Sequence, residues 1–353
     1  MAKENTEAVP TLQEWRPLYE AATKFRQTAA WNWMWDSDIF GVENPLNGET
    51  GYCCVLGKNG EFFGLAVYLG IEGLEGYLKM QDGTISKKED DILHHNKCLL
   101  ASFKDRNHLQ KPDLEIIKEL ALKFRGSFSW PLFRSYRPGY FPWYLTKEEA
   151  VFLTLCLGQS TEIASRFKEN PRLFASPDDK GFFVRIRHDN LVWNDSWCKP
   201  TVLRKIVTMT KTIDLQQIEN ILHKGKRTNQ AWEVDFFYAP AYIAEKGKRP
   251  YFPVVFLFVD SYSFFIFNSH ISPPDRYSVE FLDQFLKTIE NSKLIPAEIR
   301  ARRDELSAYL GPIAEHLGFK VRLMKKLEAL DDARKGMFEY FGRRKHSERK
   351  RSS

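Results

Sequence analysis

Three tryptophans within five residues, followed at once by two acids, form the densest group of chemistry-bearing side chains in the chain. The run reads Trp31-Asn32-Trp33-Met34-Trp35-Asp36-Ser37-Asp38. Indole faces stack on bases, sugars or cations, and neighbouring carboxylates can fix what is stacked there. Trp33, Trp35, Asp36 and Asp38, with Glu72 from the glycine-rich stretch downstream, are therefore candidate small-molecule-binding residues. The same residues also suit a small core, in which the rings fill space and Asp36 or Asp38 caps a turn.

A second group of acids lies near the ends of apolar segments in the other half. Asp260 closes the run Val254 to Val259, Asp304 follows the short apolar segment at Ile299, and Glu280 and Asp283 fall in helical spacing between them. Turn and helix-start chemistry favours acids at such places too. Other chemistries lack their residues. The chain has no Gly-x-x-x-x-Gly-Lys phosphate loop, no Gly-x-Gly-x-x-Gly after a strand, no His-Glu-x-x-His and no Gly-x-Ser-x-Gly. Its five cysteines are an odd number without a Cys-x-x-Cys pair, which points to reduced thiols in a cytoplasmic protein rather than to zinc or disulfides. Arg134 and Arg137, among Tyr136 and Tyr140, could clamp an anion or simply stack at the surface.

The elements that would position these residues are legible in outline. Thr11 and Glu14 form a capping box before Trp15, Leu18, Tyr19, Ala22 and Phe25, an amphipathic helix. Strands at 51–57 and 61–69 flank Asn59-Gly60, a hairpin signal. A helix from Ile71, a strand from Lys97 and a helix at 114–124 follow. The proline-rich stretch 130–143 reads as extended loop, and Thr146 with Glu149 opens a long helix. A further hairpin turns at His188-Asp189-Asn190. In the second half, strands are expected at 232–238, 252–259, 263–268, 299–303 and 319–323, with helices between and after them. Pro312 should kink its helix or delay its start to near Gly311.

The expected fold class is α+β in two domains: an N-terminal Trp-rich mixed domain with antiparallel hairpins (1–199) and a C-terminal α/β domain (230–341). A basic, polar segment (200–229) between them is a linker or a peripheral segment, and a disordered basic tail (342–353) ends the chain. The formal charge is +6, but Arg343, Arg344, Lys345, Arg349, Lys350 and Arg351 stand against Glu348 alone after residue 342, so the tail carries +5. Any nucleic-acid partner would use that tail. No apolar run approaches membrane-span length, so no membrane partner is expected.

Two resemblances add to this reading. The motifs Trp33-Met34-x-Asp36-x-Asp38-x-Phe40-Gly41-Val42, Tyr68-x-Gly70-x-Glu72-Gly73 and Pro138-Gly139-Tyr140-x-Pro142-Trp143, with Val254 to Asp260 and the ending Leu327 to Ala333, resemble a family of uncharacterised prokaryotic two-domain proteins. That family carries domains of unknown function, so the resemblance implies no activity. The C-terminal order of elements, taken from Val254, is similar to the ribonuclease H-like order. That similarity implies an aspartate ending the first strand, with carboxylates from a helix and a later strand, around Mg or Mn. Asp260, Asp283 and Asp304 are the corresponding catalytic candidates, and two such cations could activate water at phosphorus. The functional expectation is a cytosolic binding or regulatory protein rather than an enzyme. A metal-dependent nuclease, or a degenerate ribonuclease H-like nucleic-acid binder, is the first alternative. A small-molecule binder at Trp33 and Trp35 is the second.

Overall fold

The computed structural model describes residues 8–84, 93–176, 181–187, 192–200 and 214–349, the last nine of these by backbone alone. The chain divides into two compact units, Met1–Val202 and Leu203–Ser353. Both mix helices with sheets, as an α+β class requires.

The first unit opens with α1 (Leu12–Thr28), whose capping box at Thr11 and Glu14 is formed. A seven-stranded sheet follows in the order β5-β4-β3-β2-β1-β6-β7. Its strands are β1 (Phe40–Glu43), β2 (Thr50–Leu56), β3 (Phe63–Leu69), β4 (Cys98–Lys104), β5 (Trp130–Tyr136), β6 (Phe182–Arg187) and β7 (Trp193–Cys198). The first five form an antiparallel meander, while β6 lies parallel to β1. The hairpin at Asn59-Gly60 is present, but as a six-residue loop (57–62) in which Gly60, at φ +79°, donates its N–H to the Gly57 carbonyl. The stretch expected to be loop holds β5, and its Pro131 is tolerated because β5 is an edge strand.

Helices cover this sheet on both sides. They are α2 (Gly70–Gln81), α3 (Lys111–Glu119) and α4 (Lys147–Glu169), the last with its Thr146–Glu149 capping box formed. Alternation along β2 divides two cores. Cys53 and Val55 join α1 and α4 on one side, and Tyr52 and Cys54 join Leu74 and Tyr77 of α2 on the other. All five cysteines are free thiols. The turn expected at His188-Asp189-Asn190 lies outside the described residues.

The second unit begins earlier than expected. α5 (Leu215–Lys224) buries Ile218 and Ile221 in its core, so of the two expected readings residues from 215 onward are a segment packed on the unit rather than a linker. The strands β8 (Lys226–Arg227) and β12 (Leu294–Ile295) form a small parallel pair. The main sheet has the order β11-β10-β9-β13-β14, from β9 (Ala231–Tyr238), β10 (Val254–Asp260), β11 (Ile266–Ser272), β13 (Glu298–Ala301) and β14 (Lys320–Leu323). β9, β10 and β11 are antiparallel, whereas β13 runs parallel to β9 and β14 parallel to β13. Counted along the chain, the strands lie 3-2-1-4-5. The central first strand is therefore β9, and Val254–Asp260 is the second.

The helices α6 (Tyr277–Ser292) and α7 (Asp304–Leu317) pack with α5 on one face of this sheet, and α8 (Glu328–Arg349) packs on the other. α7 starts at Asp304 and runs through Pro312, which is exposed, as is Ala308 four residues earlier. The carbonyl that the proline leaves without a helical donor thus faces water. α8 continues to Arg349, past the Phe341 expected to end the domain. The side chains of Arg343, Arg344, Lys345 and Arg349, and Lys350 and Arg351 entirely, lie outside the described residues. Among the described residues no helix is long and apolar enough to cross a membrane.

Candidate functional site

The tryptophan cluster is split by the chain turn that carries it. Met34 is fully buried, and the rings on either side of it take different surroundings. Trp33 lies against the core and donates its Nε1–H to the Ala164 carbonyl of α4 at 2.9 Å, with the Lys168 ammonium 4.7 Å from its ring centre. Trp35 is 52% exposed, and Lys58 lies 5.2 Å from its ring. Asp38 closes a turn, accepting the Trp35 N–H on its carboxylate at 2.7 Å and donating its own N–H to the Trp35 carbonyl. The Asp36 carbonyl accepts from the Tyr77 hydroxyl at 2.8 Å and the Cys54 thiol at 3.1 Å, which anchors the turn to α2 and β2. Burial pushes the Tyr77 and Cys54 pKa values up, so both groups stay protonated donors.

Glu72 is not brought to this turn. It pairs with Lys97 at 3.6 Å, nine residues before the Gln81 that reaches Asp36 and about 13 Å from it along the helix axis. Arg134 and Arg137 are held by carboxylates, Arg134 in a fork on Asp113 at 2.9 and 2.8 Å and Arg137 on Glu149 at 3.2 Å.

The three expected catalytic acids of the second unit are not assembled either. Asp260 is buried at the β10–β11 turn, where one carboxylate oxygen accepts the N–H groups of Tyr262 and Ser263 and the Ser263 hydroxyl. Register sets Asp260 opposite Trp232, and Trp232 beside Ile299. Asp304 lies five residues beyond Ile299, toward the other end of the sheet, a separation of roughly 15 Å along the strands. It begins α7, as a helix-start acid does. Asp283 sits half-buried in the middle of α6, and no group of three His, Cys, Asp or Glu able to hold a metal occurs among the described residues.

A different set of charged side chains does converge, on the α8 face of the central strand. Glu233 and Asp235 share that face of β9, and both are buried, Asp235 to 1% exposure. The Glu233 carboxylate accepts the Leu330 N–H at 2.9 Å and so caps the first turn of α8. Asp235 accepts from Arg303 Nε at 3.0 Å and lies 3.8 Å from Arg302, both just past the end of β13. Arg302 also binds Asp331 of α8 at 2.6 Å. Arg334, one turn further along α8, stands over the rings of Phe237 and Phe338 at 4.8 and 5.1 Å. Burial pulls its guanidinium below the usual arginine pKa; Asp235 and Asp331 oppose that shift, and Arg302 and Arg303 add to it.

Comparison with known domain families agrees with this division. Residues 15–185 match the family model of a domain of unknown function, DUF7309, and residues 218–338 match that of another, DUF6930. Together the two matched regions span most of the chain. No curated protein matches it.

The DUF6930 match begins inside α5, in keeping with a unit that starts before residue 230. The arginine cluster of this domain was missed by sequence reasoning, although a signal was present. Trp232-Glu233-Val234-Asp235-Phe236-Phe237 puts two acids at i and i+2 within an apolar strand, hence on one buried face. Buried acids require partners, and Arg302-Arg303 at the end of a later strand can supply them.

Proposed function

We propose that this is a binding or regulatory protein, and that its DUF6930 domain uses a ribonuclease H-like strand order without two-metal nuclease chemistry. The observation that carries this reading is the pairing of Asp235 with Arg302 and Arg303. A two-metal site needs carboxylates free to face the cations, from the first strand and from a later one. On the first strand here, Glu233 caps α8 and Asp235 is taken up by guanidinium groups. The later strand, β13, is followed by Arg302 and Arg303 where an acid would be needed. Mg or Mn does not fit this donor set, because two cationic side chains occupy the side from which a metal would approach. No hydrolytic step follows from the site.

The test is direct. The full chain is incubated with single- and double-stranded DNA and RNA in Mg²⁺ and in Mn²⁺. No cleavage beyond that of an Asp235→Asn variant is expected. Cleavage that Asp235→Asn abolishes would overturn the proposal.

A further inference from the structure

Among the described residues the two main sheets have four edge strands, and three of them carry a device that blocks further pairing. β5 contains Pro131 and Arg134 and is bridged at Ser135 by Trp143. β7 carries Asp195, and β14 carries Lys320 and Arg322. Proline and charge are common protections of an open edge. β11 reads Ile266-Phe267-Asn268-Ser269-His270-Ile271-Ser272, without Pro, Asp, Glu, Lys or Arg. Its one titratable side chain, His270, is turned to α6 and pairs with Glu280 at 3.0 Å.

The backbone of β11 is open in a defined pattern. Ala239 donates its N–H to the Pro253 carbonyl, and Ser261 donates to that of Ala231, so the odd-numbered positions along β10 bond toward β9. The even-numbered positions bond toward β11, as the Asp260 N–H does to the Phe265 carbonyl. Register pairs them with Asn268, His270 and Ser272. Ser269 and Ile271 therefore turn their N–H and C=O groups to the open edge.

The side chains point the same way. α8 covers β9 and β10 but leaves β11 open. Val255 and Val259 are 1% and 0% exposed, whereas their register partners on the same face, Ile271 and Ile266, are 55% and 43% exposed. Phe264 and Phe265 are exposed at the turn before them. An apolar shelf one strand wide thus runs beside α8, along an edge with unpaired backbone.

We infer that β11 is a self-association edge, to which a second copy of this chain adds its own β11, antiparallel, about a two-fold axis normal to the sheet. Charge selects this occupant. A two-fold pair sets the strand against itself, so a charged strand would meet its own charge. Lys320 and Arg322 oppose such a pair at β14, and nothing opposes it at β11. A charged partner of another kind would find no answering charge on the strand. A second copy also closes the arrangement. It satisfies Ser269 and Ile271 of both chains, joins the two shelves between two α8 helices, and leaves neither β11 open.

The full chain is run by sedimentation velocity from about 1 to about 100 µM. A monomer–dimer equilibrium is expected, with amide exchange at Ser269 and Ile271 slowing as concentration rises. Ile271→Lys puts like charges into the paired edge and should weaken the dimer about tenfold or more. The monomer should keep its Tm in that variant, because Ile271 is exposed. Ser269→Pro removes an N–H that faces away from β10, so the β10–β11 ladder keeps its bonds while the dimer loses them. It should weaken the dimer too, whereas Ser269→Ala should not. A chain that stays monomeric to about 100 µM, or a dimer undiminished by either Ile271→Lys or Ser269→Pro, would overturn the inference. If Ser269→Pro fails to fold, the exchange measurement decides: exchange at Ser269 and Ile271 that ignores concentration would overturn it as well. The cleavage assay bears on none of these outcomes.

Discussion

Asp235 and Glu14 show how differently a carboxylate can serve the same chain. Asp235 is buried in the middle of a sheet, and its two arginine partners are less buried than it is. Asp235→Ala removes the acceptor of Arg303 Nε and the carboxylate beside Arg302. The expected loss is about 3 kcal/mol of unfolding free energy, read by urea denaturation, because breaking a buried pair costs more than the pair contributed. Glu14 sits at a helix start. The Thr11 hydroxyl and backbone N–H, and after them Lys147, hold its carboxyl from 4.5 down to about 2. The folded pKa is thus below the unfolded one, so the stabilisation is complete above about 4.5 and lost as the pH falls toward about 2. Glu14→Gln should flatten the Tm-versus-pH curve over that window while changing little of its shape above pH 6.

At the scale of elements, Pro312 and Gly64 mark places where the backbone is constrained. Pro312 lies inside α7 on its exposed side and withholds one helical hydrogen bond. Pro312→Ala should raise stability, by up to about 3 kcal/mol, measured by thermal or denaturant unfolding. A loss of stability instead would show that the proline ring itself packs against something essential. Gly64 on β3 faces β4 so closely that an added Cβ would meet the Ala101 carbonyl at 2.4 Å. Gly64→Ala must therefore push the two strands apart. We expect lower stability and faster exchange of the β3 and β4 amides, with the β9–β13 amides unaffected.

The whole molecule contains two separate main cores, and its tryptophans report on them unequally. Eight of nine tryptophans precede residue 200, leaving Trp232 as the reporter of the second unit. Phe285 is fully buried in the second core, among Phe258, Phe281 and Phe319. Phe285→Ala should cost the second unit about 3–5 kcal/mol. Calorimetry should show one transition shifted down, while the fluorescence transition, dominated by the first unit, stays in place. A joint shift of both signals would mean that the two units unfold as one. The basic residues from Arg343 onward are a question at this scale too. Removing 343–353 should abolish any salt-dependent shift of the chain on DNA or RNA, and an unchanged shift would rule the tail out as the nucleic-acid contact.

How much of this was legible in the residues depended on the range of the interaction. Local chemistry could be read directly: both Thr-x-x-Glu capping boxes formed, Cys53 and Cys54 point to opposite faces, and the acids Asp38 and Asp260 close turns, because each depends on neighbours within a few positions. The α+β class followed from periodicity over longer windows, and the two-domain division from chain length, the uneven placing of the tryptophans and the basic polar stretch after Pro200. Sequence spacing did not reveal which strand is central. That depends on β9 pairing with β10 on one side and, in parallel, with β13 some sixty residues away on the other. Pairing made Asp235, rather than Asp260, the acid of the first strand, and it carried Asp304 to the far end of the sheet. The opening tryptophans changed meaning for a related reason. One residue of backbone rotation on either side of buried Met34 sends Trp33 against α4 and Trp35 to the surface, and only the packed structure selects between those outcomes.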